Sequence, residues 1–358
     1  MQRSRRRMLA AAACAGVPSL NSCAWPLSMN IASTTPRVRV DDLFRKTKLM
    51  CFGRYCADVP IDTEQTFGFQ NIDGGFKSFD VPAGPDPAKV LDAQWRSALR
   101  TDPLSERITE IRPGPVAHAK HLWFHDGSLS KEEDLRTLDG AVAIGARVYL
   151  FEGMVSRRER MTAELLMSNM TALMRGMRPW NGVEVPRQPG VCIHGAFIHE
   201  PTHRFQEIMS SGFYFPSLPD VRFSVMSNKN ASVEGDNGKG LLERVDEARR
   251  EQIFYPYITL RRGKRTLHGL WDGEEMLARR SDGALLFDWE MVGQPRNVAR
   301  PPWFVVGLRT RVADDKVGAA KSSSLSDAQA LRLWDRLLEG LKFRVAVPGC
   351  TPQSVALV

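Results

Sequence analysis

The residues best spaced for chemistry are His199, Glu200 and His203, which with Pro201 and Thr202 match the pattern H-E-x-x-H. On an α-helix that spacing puts two histidines on one face as zinc ligands and leaves the glutamate to activate a water. Pro201 works against the helix. It lacks an amide donor, restricts the residue before it to extended angles, and fits only a first helical turn, which leaves His199 outside. The apolar run Val191 to Ile198 leads straight into His199 as a strand would. The motif therefore reads as polar residues at a strand end, with an envelope zinc-dependent hydrolase using His199, Glu200 and His203 as the alternative. His118, His121 and His125 have spacings of three and four, but the local pattern is strand-like and no cysteine or acidic residue completes a ligand set. No G-x-S-x-G elbow, Walker loop or G-x-G-x-x-G occurs. Asp236 to Gly240 reads as a turn-rich loop rather than a phosphate cradle. The chain thus offers no catalytic, cofactor-binding or metal site.

At 358 residues, 43% hydrophobic and 25% charged, the composition is that of a globular protein with room for two cores. The formal charge of +8 looks like a nucleic-acid signal, but Arg3, Arg5, Arg6 and Arg7 carry half of it. No recognition motif or further basic run supports nucleic-acid binding. Those arginines precede an apolar, alanine-rich run from Met8 to Val17, too short to span a bilayer, which together have the form of an export signal. Ser4 to Leu9 is similar to a twin-arginine signal, and Leu20-Asn21-Ser22-Cys23 to a lipobox that makes Cys23 the lipid attachment site. A soluble exported protein cut elsewhere between Pro18 and Trp25 is the alternative.

Cys51, Cys56, Cys192 and Cys350 lie beyond that signal, and an oxidising compartment permits bridges among them. Cys51 and Cys56 fall in one predicted strand, on opposite faces and about 16 Å apart at ~3.3 Å per residue. That exceeds the ~4.4–6.8 Å a disulfide spans, so these two are not expected to pair with each other. The remaining pairings stay open, buried free thiols among them.

The elements come in a repeating order. Residues 24–46 read as a flexible tether. Leu49 to Pro60 alternates at period two and predicts a half-buried strand ended by proline. A helix is expected from Pro87 to Arg100, strands from Ala119 to Phe124 and from Ala141 to Phe151, and a helix launched by the Ser156–Glu159 capping box and running to about Arg178. Its stripe of Leu166, Met170, Leu173, Met174 and Met177 is core packing. After a linker at Pro186 to Pro189 the plan recurs. A strand covers Val191 to Ile198, a short helix Gly240 to Ile253, and a hairpin Tyr257 to Trp271 turning at Arg262-Gly263-Lys264. Strands follow at Leu285 to Val292 and Trp303 to Arg311, then a helix opened by the Ser326–Gln329 capping box. The fold class expected is α+β: two related domains, 47–182 and 188–345, each an antiparallel sheet with helices packed on one side. A leader (1–23) and a tail (346–358) flank them.

Several of these stretches also carry a resemblance. Cys51-Phe52-Gly53-Arg54-Tyr55 followed by Asp58-Val59-Pro60 resembles the opening of the immunity proteins that protect bacteria from lipase effectors of type VI secretion. Gly273-Glu274-Glu275, Phe287-Asp288-Trp289-Glu290, Gly293, Pro301-Pro302, Leu325-Ser326-Asp327, Leu331, Trp334-Asp335 and Phe343-Arg344 follow in the order of that family's C-terminal domain. The resemblance covers roughly residues 47 to 345; Arg311 stands where a glycine is expected. It implies a non-enzyme, two domains arranged as a clamp, residence in the periplasm on a possible lipid anchor, and a cognate lipase or phospholipase as partner, with no cofactor. On that reading Trp123, Phe124, Tyr214 and Phe215, which lie beside loop signals, are the candidate partner-binding residues; capping of their own cores is the alternative. A general envelope scaffold lipoprotein is the other reading open to the sequence.

Overall fold

A computed structural model describes residues 39–344 except 74, 82–83, 94–107, 126–135, 156–161, 202–204, 230–238, 252–256, 293–302 and 311–322. The leader with Cys23, most of the tether, Trp95, Leu99, His203, Cys350 and the tail lie outside the described residues. Everything described belongs to one compact unit, Val38–Val358.

A short helix α1 (Val40–Leu43) precedes strands β1 (Thr47–Phe52), β2 (Tyr55–Pro60), β3 (Glu64–Ile72) and β4 (Gly75–Asp80). Residues 87–93 form the described part of helix α2. Strands β5 (Ile108–Pro113), β6 (Ala119–His125), β7 (Arg136–Ile144) and β8 (Arg147–Val155) lead to helix α3 (Ala163–Gly176), and β9 (Met177–Pro179), β10 (Gly190–Ile193) and β11 (Ala196–His199) follow. Then come β12 (Glu207–Phe215), β13 (Leu218–Asn228), helix α4 (Leu241–Arg250), β14 (Tyr257–Leu267), β15 (Trp271–Arg280), β16 (Leu285–Val292), β17 (Trp303–Thr310), helix α5 (Asp327–Glu339) and β18 (Leu341–Phe343).

The architecture is α+β and the strand pairs are antiparallel. A seven-stranded sheet has the order β14-β15-β16-β17-β13-β12-β3, and a five-stranded sheet the order β4-β8-β7-β6-β5. Two three-stranded sheets, β1-β2-β18 and β10-β11-β9, sit beside them. Sheet membership does not divide at residues 183–187. Strand β3 closes the edge of the seven-stranded sheet and β18 pairs with β2, so each half of the chain completes a sheet of the other.

Alternation in the sequence explains the main core. Phe287, Trp289 and Met291 on β16 are buried on one face, as their period predicts, and join Phe213, Phe223, Phe304 and Leu308 from neighbouring strands. Helix α5 covers this face with Leu333, Trp334, Leu337 and Leu338. Its N-terminus is built as the sequence predicts: Ser326 Oγ accepts from the Gln329 amide and the Gln329 side chain accepts from the Ser326 amide. The β1-β2 hairpin lays Phe52, Tyr55, Ala57 and Val59 on the same core. In the five-stranded sheet, α3 packs Leu166, Met170, Leu173 and Met174 against β7 and β8. Gly140 and Gly153 make that approach possible, since a Cβ there would stand 2.3 Å from Met170 Sδ and 2.5 Å from Leu166.

Five expectations are corrected. The stretch Leu49 to Pro60 is a hairpin, not one strand, turning at Gly53-Arg54 with Gly53 at φ 52. Cys51 and Cys56 are therefore direct cross-strand partners. Val191 to Ile198 turns in the same way at His194-Gly195, and Ala141 to Phe151 at Gly145-Ala146. The hairpin after Tyr257 does not turn at Gly263; β14 runs through it and turns at His268-Gly269, where both residues have positive φ. Finally, α3 starts not at Ser156, which lies outside the described residues, but after Thr162, whose side chain accepts from the Leu165 amide at 3.2 Å.

Candidate partner-binding surface

The stretch around Arg54 anchors the framework. Its guanidinium is 2% exposed and donates to both oxygens of Glu207 through Nε, at 3.1 and 2.8 Å, and to Glu200 Oε2 through Nη2 at 2.6 Å. Nη2 also bonds Glu207, and Nη1 reaches the Glu200 carbonyl at 3.2 Å. Lys229 adds a second cation 3.4 Å from Glu207. Burial alone would raise the Glu207 carboxyl, but the charge and hydrogen bonds of Arg54, helped by Lys229, hold it below the usual range. Lys229 itself is pushed down by burial. Beside this node Cys51 is bonded to Cys192, with a Cα separation of 6.0 Å across 141 residues of sequence. Gly53 and Cys192 exchange two backbone hydrogen bonds of 2.8 Å. Cys56 is a buried free thiol pushed up to about 12 by burial, too poor a nucleophile to exchange with its neighbour's disulfide. Arg344 ties in the segment before β10 by donating to the carbonyls of Pro186, Gln188 and Gly190, and burial lowers its pKa to about 10.

Among the described residues, this node takes up Glu200 of the H-E-x-x-H stretch. His199 is exposed at the end of β11, no helix carries it, and Glu200 is spent on Arg54 rather than on a water. Glu200 is 3% exposed, so it is not the surface residue expected at a strand end. His121 is likewise buried on β6, not a surface histidine; burial and then Arg112 keep its pKa low.

The predicted anchors separate. Phe215 is fully buried in the main core and has no surface to give a partner. Trp123 and Phe124 lie on β6, but their side chains fall outside the described residues. Tyr214 is half-buried on the face of the seven-stranded sheet opposite α5, with the Arg222 guanidinium 4.2 Å over its ring. That face also carries Phe69, exposed at 60%, which sequence periodicity would have placed with Gln65 and Phe67 on the inner side. A bulge sets Gly68 and Phe69 opposite Ser210 alone, and the extra residue turns Phe69 outward. No local signal marks this shift, because it depends on the register of β12.

A separate groove of about 500 Å³ lies where three turns meet, lined by Asp80, Ala146, Arg147, Pro179, Trp180 and Glu184 among others. Arg147 there pairs with Asp80 at 2.6 Å and meets His194 Nε2 at 3.0 Å. His194 stacks on Phe67 with ring centroids 5.2 Å apart, and burial followed by Arg147 lowers its pKa.

Residues 184–346 match the family model described as the Tle cognate immunity protein 4 C-terminal domain. No curated protein matches the chain. Among solved structures, the apo immunity protein TplEi of the type VI secretion system from Pseudomonas aeruginosa is 26% identical, with 83% of this chain and 97% of that one covered and a TM-score of 0.65. TplEi complexed with "L" peptide, from the same organism, is 25% identical over 83% and 98% of the two chains, with a TM-score of 0.63. The Tle4-Tli4 complex contains a chain of the same fold, 24% identical over 83% and 97%, with a TM-score of 0.66. The C-terminal part of the chain thus matches that domain, and the fold is shared over nearly the whole of TplEi, an immunity protein of type VI secretion.

Proposed function

We propose that this protein binds a cognate lipase effector of type VI secretion in the periplasm and holds it inactive. The observation that carries the reading is the family match at 184–346, joined by likeness to TplEi and to the chain of the Tle4-Tli4 complex along most of their length. An interfacial lipase must expose an apolar rim to reach lipid, so a tightly bound protein of ordinary interface size, about 800 Å² per partner, suffices to block it without touching its nucleophile. In a co-expression test, a lipase encoded beside this protein's own gene is directed to the periplasm, and cells survive with this protein and lyse without it. Equal killing in both strains overturns the proposal.

The Cys51–Cys192 bridge supports an oxidising compartment, where such bonds form and persist. We place Cys23 as the lipid attachment site on the lipobox alone. Labelled palmitate should enter the wild-type protein and not the Cys23→Ala variant; label retained by the variant excludes Cys23.

A further inference from the structure

We propose that the open face of the seven-stranded sheet, centred on Tyr214 and Arg222, receives an acidic segment of the lipase that also carries an apolar side chain. The inference rests on the functional reading above and names the chemistry of the contact.

The sheet's register lays out this face in rows. One row runs Glu64, Tyr214, Arg222, Arg309 and Leu286 across five strands. The next runs Thr66, Gly212, Ser224 and Gly307, all small. Thr66 and Ser224 in this row are exposed, Gly212 is half-buried and Gly307 is buried, so the row carries only short side chains between longer ones. Phe69 stands beyond it, beside Ser210, and among the described elements α4 packs over β15. An aromatic and an arginine thus stand on one side of the small-residue row and an exposed phenylalanine on the other.

Charge selects the occupant. Arg261, Arg262, Arg265, Arg279, Arg280 and Arg309 of the same sheet each meet an aspartate or glutamate. Arg222 does not. It donates to the carbonyls of Pro219 and Val221 at 2.8 and 3.0 Å, lies over the Tyr214 ring, and reaches no carboxylate among the described residues. It also stands directly across from Arg309, a like-charge pair that costs stability in an antiparallel sheet. The single carboxylate on Arg309, Asp288, leaves Arg222 uncompensated, and Glu64 lies on the far side of Tyr214. A carboxylate from a partner would complete the pair, with Tyr214 and Phe69 supplying the rigid aromatic area typical of binding anchors.

The test uses the purified full chain, the neighbouring lipase, and binding measured at low and high salt. Arg222→Glu is expected to weaken binding about 10-fold or more and to flatten its salt dependence, because a charge pair has been lost. Phe69→Ala should weaken binding while leaving the salt dependence unchanged. Arg222→Gln keeps a hydrogen-bonding side chain over Tyr214 and decides the matter if Arg222→Glu melts early. Wild-type affinity and salt dependence in Arg222→Gln overturn the proposal. Failure of the wild-type protein itself to bind the lipase overturns the functional reading, and this surface with it.

Discussion

Replacing Cys51 and Cys192 together by serine is expected to lower the unfolding free energy by about 5 kcal/mol, from the chain entropy that a cross-link of this length removes from the unfolded state. The bond closes a loop of 141 residues, joining the β1-β2 hairpin to β10. Most domains have only about 5–15 kcal/mol in all, so the variant should be unfolded or marginal at physiological temperature. Denaturant titration with and without reductant measures this directly. Cys56→Ser, which removes a buried thiol outside the bridge, serves as the control and should cost far less. A midpoint for Cys51→Ser/Cys192→Ser equal to wild type would show that the bridge contributes nothing. In a reducing compartment the staple would open and this contribution would be lost.

Arg54→Met should cost about 3–5 kcal/mol, the usual penalty for stranding a buried charge. The substitution leaves Glu200 and Glu207 buried without the guanidinium, with Lys229 still beside Glu207. Combining Arg54→Met with Glu207→Leu removes one of the two stranded charges and should recover part of the loss, so a double-mutant cycle from denaturant melts isolates the pair. Purely additive effects would mean that the two side chains are not coupled. The node also sets a direction for pH. The Glu207 pKa is lower in the folded protein than in the unfolded chain, so its contribution is present above the unfolded value near 4.3 and is lost as pH falls through the folded value. His121 and His194 act earlier and in the same direction. Burial lowers both, the unfolded chain takes up the protons more readily, and stability falls as pH drops through about 6.5. Melting temperatures that stay constant between neutral pH and pH about 5 would contradict the two histidine assignments, and ones that stay constant below pH about 4 would contradict that of Glu207.

How far the sequence could be read follows from the range of the forces involved. Helix α5 was legible to its first residue because the Ser326–Gln329 cap is closed within four residues and its apolar stripe meets one continuous core. Strand β16 was legible because only one of its faces is packed by the main core. The hairpins at Gly53 and Gly195 were not. Cys51 packs in one cluster with Cys192, Trp180 and Phe197, while Phe52, Tyr55 and Ala57 pack in another, so both faces are buried, and Arg54 at the turn falls where one continuous alternating strand would also carry a polar residue. The start of α3 was misplaced because a cap is a local option that several residues offer: Ser156 lies outside the described residues, and the cap of the helix is Thr162, which accepts from the Leu165 amide.

By itself the sequence determined the class of secondary structure and the short ordered motifs that carry the family resemblance. These are properties of neighbours within a few residues, where side-chain period and capping chemistry act. Only the tertiary structure decided that Arg54 is buried among carboxylates about 150 positions away, that Cys51 bonds Cys192, and that a bulge turns Phe69 outward. Each of those outcomes is set by the register of strands brought together across the whole chain. A charged residue at a turn is ordinarily left in water; here two distant glutamates and a shared core make the buried position the stable one.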